Sequence, residues 1–202
     1  MKKDYQKINL LNNLRINMLK KFTTKELIFI ALLGALVFVL DFILVVGLEA
    51  VIGIPGVGLL IDTIILIAIA VVGAKIVPKF GVFTIWALIY SVLAIPTNII
   101  GPPGIYKIVI GLVLGLLGDV ILFLFRYKNL GYYLSLTIAN VLTIPFLYFF
   151  LIKLGLPGAS ELKSAVVYFI PIVVVEGLLG AWIGIKLYNK IKTKRFVKQL
   201  QS

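Results

Sequence analysis

Apolar residues come in six long runs, separated by short breaks that are polar or rich in glycine and proline. The runs predict helices at about 27–47, 57–77, 82–96, 105–125, 132–152 and 165–186. Most are about 20 residues long, which at 1.5 Å per residue crosses roughly 30 Å of hydrocarbon. Thr23 or Thr24 is available to cap the first helix. A turn at 53–56 (Gly, Ile, Pro, Gly) opens the second, and Gly-Pro-Pro-Gly at 101–104 leads into the fourth. The third is short and closed by Pro96. Runs of this length exclude a membrane β-barrel, whose strands alternate over about 10 residues. The expected fold class is therefore all-α, a polytopic membrane bundle of about six transmembrane helices.

Composition agrees with this pattern. Hydrophobic residues make up 61% of 202 and the mean hydropathy is +1.13, against about 45–50% apolar residues in soluble domains. The first 26 residues are polar and have no short apolar core before a cleavage site, so no signal peptide is expected.

Charge then sets an orientation. Of 20 Lys and Arg residues, seven lie in 1–25 and six in 186–198. Lys75 and Lys79 sit in the second connection, Arg126 and Lys128 in the fourth. Only Lys107, Lys153 and Lys163 fall on the other side, a 17:3 split that places both termini in the cytoplasm. The net charge of +12 thus points to an anionic membrane surface and not to nucleic acid. Within 1–25, Ile8, Leu11, Leu14, Met18 and Phe22 recur at three- and four-residue steps, as in an amphipathic surface helix. The organisation expected is a basic amphipathic segment at 1–25, a six-helix domain at 26–190 and a basic cytoplasmic tail at 191–202.

The chain has no Cys and no His. That removes disulfides, thiolate nucleophiles and Cys/His metal sites, together with the commonest general base. No phosphate-binding G-x-x-x-x-G-K-[ST] run, H-E-x-x-H or G-x-S-x-G occurs. The expectation is a protein that is not an enzyme and needs no cofactor.

Ionisable residues within spans each cost about 2.5–3.5 kcal/mol on insertion scales, so they are candidates for function. They are Asp41, Asp62, Lys107, Asp119 and Glu176. Asp41, Asp62, Lys107 and Glu176 are expected to converge in the outer half of the bundle, with Asn98 nearby and Tyr106 and Tyr168 as stacking surfaces. Three readings stay open for them: a pocket for a small molecule, Lys107 paired to Asp41 or Asp62 as a tie between helices, or a proton relay. Small residues mark close helix contacts, with Glu176, Gly180 and Gly184 within 80° on one face of the sixth helix. Lys107, Gly111, Gly115 and Gly118 form a similar stripe on the fourth.

Ala31 and Ala35, four apart near the start of the first helix and behind the basic lead at 21–26, carry a resemblance. The chain resembles the substrate-binding S-components of energy-coupling factor (ECF) transporters, which have about 200 residues, six helices, basic ends and no ATPase motifs. The run at 96–104 and the Gly-rich fourth helix ending at Gly118 and Asp119 look similar to the hydroxymethylpyrimidine/thiamine-type members. The resemblance implies that Ala31 and Ala35 dock a transmembrane coupling subunit served by two ATPase subunits. It also implies capture of a small water-soluble vitamin or precursor. The rivals are a proton-coupled secondary transporter and, less in keeping with the motifs, a small membrane enzyme.

Overall fold

The computed structural model describes residues 21–52, 57–156 and 159–201. The helices are α1 (Thr24–Ile52), α2 (Val57–Ile76), α3 (Val82–Ala94), α4 (Tyr106–Leu124), α5 (Asn129–Lys153), α6 (Ala159–Ile191) and α7 (Arg195–Gln201). No strand occurs among the described residues. Four helical stretches, Thr24–Val45, Tyr106–Leu124, Asn129–Lys153 and Tyr168–Ile191, are long and apolar enough to cross a membrane. The chain is on this ground a helical membrane protein.

The first six helices fall where the apolar runs predict them. The third ends at Ala94, earlier than expected, and the sixth extends further at both ends. The tail expected at 191–202 contains a helix, α7, anchored by the buried Val197. The amphipathic helix expected in the first 25 residues falls mostly outside the described residues.

Packing closes a ring. α1 lies against α2 and α3, α2 against α6, α6 against α5, α5 against α4, and α4 against α3. Glycine makes two of these seams possible. A Cβ on Gly180 would come within 2.8 Å of the Ile64 carbonyl and one on Gly184 within 2.6 Å of the Ala68 carbonyl, so α2 and α6 run parallel with their backbones close. On the α3–α4 seam, a Cβ on Gly115 would meet the Thr84 Cα at 2.7 Å. Both glycine stripes expected from sequence face a neighbouring helix. Where lipid supplies no hydrophobic drive between helices, such close approach gives the packing its strength.

One end of the ring gathers the basic connections. There α1 starts with a capping box: Thr23 N–H donates to Glu26 Oε2 at 2.7 Å and Glu26 N–H to Thr23 Oγ1 at 3.3 Å. This satisfies two amides that helix formation leaves without partners. Lys79 Nζ, from the α2–α3 connection, reaches the same Glu26 oxygen at 2.6 Å. The ion pair ties two corners of this basic end together. At the far end lies the connection between α3 and α4, and the turn expected at 53–56 falls outside the described residues.

Candidate functional site

Three buried carboxyl groups lie at one level of the bundle. Asp41 lies seventeen residues beyond the start of α1, Asp62 fourteen before the end of α2, and Glu176 fifteen before the end of α6. At 1.5 Å per residue these positions are about 21–26 Å from the basic ends of their helices. Their exposures are 1%, 4% and 6%. The Asp41 and Asp62 carboxyls approach within hydrogen-bonding reach, and Glu176 lies near Asp62. Tyr90 on α3 donates its hydroxyl proton to Asp41 Oδ2. Its ring stacks on Trp86 with centroids 6.0 Å apart and 18° between planes, and Phe38 meets it edge-on. The cluster thus draws on α1, α2, α3 and α6.

Sequence reasoning missed Tyr90 and Trp86. The available signal was their four-residue spacing, which puts both on one face of α3.

Lys107 does not join the acids. It is 1% exposed, and its ammonium donates to the carbonyls of Ala94 at 3.0 Å and Thr97 at 2.6 Å. The expected convergence of Lys107 with the acids is corrected, and the alternative in which it pairs with Asp41 or Asp62 falls with it. Among the described residues no Lys or Arg pairs with Asp41, Asp62 or Glu176. The physical reason is α3, whose thirteen residues end about 10 Å short of a full hydrocarbon crossing. Its last carbonyls need donors at that depth, and the Lys107 stem reaches them.

Asp119 performs the matching task at the other end of α3. The cap position, Gly81, has no side chain to offer. The Asp119 carboxylate, from α4, accepts Phe83 N–H at 3.1 Å, Thr84 N–H at 2.9 Å and Thr84 Oγ1–H at 2.6 Å. An acid at the amino end and a base at the carboxyl end also match the sign of the helix dipole. Twelve residues separate Asp119 from Lys107, about 18 Å along α4, close to the length of α3. α4 therefore clamps α3 at both ends.

The remaining candidates scatter. Tyr106 is buried, donates its hydroxyl to the Pro102 carbonyl at 2.6 Å and lies 5.6 Å from the Phe150 ring. It holds the 95–105 connection. Asn98 is exposed on that connection. Tyr168 is 76% exposed on α6, too open to stack against anything in the acid cluster. Ala31 and Ala35 are half-buried on α1, between the exposed Ile28, Leu32, Leu36 and Val39. Beside them, at the basic end, Lys25, Ile28, Phe196, Gln199 and Leu200 line a shallow cleft of about 470 Å³ between α1 and α7.

Chemically, the arrangement is a buried acidic centre without a counter-charge among the described residues. Three carboxylates in hydrocarbon cannot stay ionised together at tolerable cost. They need protons, a cationic guest, or both. The described residues contain no set of three or more His, Cys, Asp or Glu gathered as metal ligands. No protein-family model, curated protein or solved structure matches the chain.

Proposed function

We propose that this chain is the membrane-embedded substrate-capture subunit of an ECF-type importer for a small water-soluble vitamin or precursor. The observation that carries the reading is the cluster Asp41, Asp62 and Glu176, buried near the far end of the ring with no basic partner among the described residues. A protonated or cationic ring would supply the missing charge, and Tyr90 and Trp86 offer it flat aromatic surface. Six spans, both termini in the cytoplasm and residence in the cell membrane belong to the same proposal. The basic end then faces the cytoplasm, and the acids sit in the outer half.

The half-buried Ala31 and Ala35, on an otherwise bulky outward face, suit docking of a coupling helix. The chain itself performs no chemistry in this reading. Energy comes from the coupling subunit and its two ATPases. The test is purification without added ligand, followed by mass spectrometry of what denaturation releases, and by uptake assays of Ala31→Leu and Ala35→Leu. Retained ligand binding with uptake abolished is the expected result. Full uptake by the double variant removes the partner from the scheme.

A second reading has one observation in its favour. Asp41 and Asp62, within hydrogen-bonding reach of each other, could hold one proton between them, as a proton-coupled secondary transporter requires. Uptake into vesicles containing this chain alone, driven by a pH gradient, would support that reading against the first.

A further inference from the structure

The connection between α3 and α4 packs against the aromatic side of the acid cluster. Ile99 packs into an apolar group with Val37, Tyr90 and Ala94, and Tyr90 in turn holds Asp41. The backbone of this connection does not close by local preference. Ile100 has φ 57° and Gly101 φ 90°. A β-branched residue in the left-handed region is disfavoured by about 1–3 kcal/mol. Contacts must hold it shut. Gly104 N–H bonds the Ile95 carbonyl at 3.0 Å, Tyr106 reaches Pro102, and Lys107 bonds the carbonyls of Ala94 and Thr97.

We propose that residues 95–105 form a gate over the acid cluster and that Lys107 is its latch. The gate rests on the reading of that cluster as the capture site. An ammonium on a flexible four-carbon stem can leave two neutral carbonyls for others or for water without separating an ion pair. Release frees the carboxyl end of α3 and the connection. The amino end stays fixed by the three bonds to Asp119, so the movement is confined to the far end. Lys107 is a positioning residue here and touches no ligand.

The chain has no cysteine, so a single introduced thiol reports without background. Val37→Cys places a thiol beneath Ile99. Ser135→Cys, at a fully buried position on α5, reports general loosening. Both are followed in lipid nanodiscs, where a charged, membrane-impermeant methanethiosulfonate reagent reaches both faces and neither orientation nor ligand identity matters. In the native background both thiols should react slowly. Lys107→Met, which keeps the stem and removes the donors, should speed labelling at Val37→Cys at least 10-fold and leave Ser135→Cys unchanged. Lys107→Gln keeps a donor in reach of one carbonyl and guards against lost folding; it should give an intermediate rate. Equal rates at Val37→Cys with all three residues at 107 would overturn the latch. So would parallel acceleration at Ser135→Cys, because Lys107 would then be a staple of the whole fold. Since no ligand enters this experiment, a failed capture site shows separately, as unchanged affinity in the carboxylate variants.

Discussion

α3 with α4, and α1 with α2 and α6, bury charged side chains about equally completely and resolve them in opposite ways. In the first region Asp119 and Lys107 meet backbone groups that a short helix leaves open, and donors and acceptors balance within the protein. In the second, Asp41 and Asp62 lie within reach of each other with Glu176 near Asp62, and among the described residues the Tyr90 phenol is the donor they meet. A buried charge with its partners in place needs nothing from outside the protein. One without them points to something that arrives from outside.

The contrast can be broken most forcefully at Asp119. Asp119→Ala leaves two amides and a hydroxyl without acceptors and should cost about 3–5 kcal/mol of stability. The check is a thermal melt in detergent, with ligand affinity of the surviving folded fraction unchanged. A melting temperature equal to that of the native protein would dissolve the distinction between the two regions.

The acids should respond the other way. Asp41→Asn, Asp62→Asn and Glu176→Gln relieve repulsion, so each variant should melt at the native temperature or above it. Affinity for the co-purifying ligand should fall about 10- to 150-fold, equivalent to about 1.5–3 kcal/mol. Titration of each variant beside its melt tests both halves. Lowered melting with unchanged affinity would make the acids architectural too.

The smallest effect is expected at the basic end. Glu26→Gln removes the charge from the bond to Lys79 and keeps a capping oxygen for Thr23. A loss of about 0.5–1 kcal/mol follows for a mostly shielded pair near the membrane surface. Raised salt should shrink the stability difference between the native protein and the Glu26→Gln variant. A difference that grows with salt would contradict the electrostatic account.

The fold was legible where length and hydrophobicity decide it. Runs of about 20 apolar residues have few alternatives to helix in a bilayer, and the glycine stripes mark the α2–α6 and α3–α4 seams in the sequence itself. The three acids were legible as a group because each interrupts an apolar run at a similar distance from a basic connection. Lys107 was misread for a definite reason: its partners are backbone carbonyls, which every residue carries and no sequence pattern marks. Asp119 caps an amide, that of Thr84, 35 residues away in the chain, so the local spacing that reveals Thr23 and Glu26 has no counterpart there. Tyr168 looked like a ring near the acids by position along α6, and its direction around the helix set it apart.

The clamp on α3 also bears on how the chain enters the membrane. A helix of about 20 Å, opening on glycine and closing in irregular backbone, leaves amides and carbonyls bare in hydrocarbon, each costing several kcal/mol. It cannot be released into lipid ahead of α4, which carries both missing partners. During synthesis the two are therefore expected to insert as a hairpin, with α3 retained at the insertion machinery until Asp119 has been made. A nascent chain stopped before residue 119 should still crosslink from α3 to that machinery, and one stopped well beyond it should not.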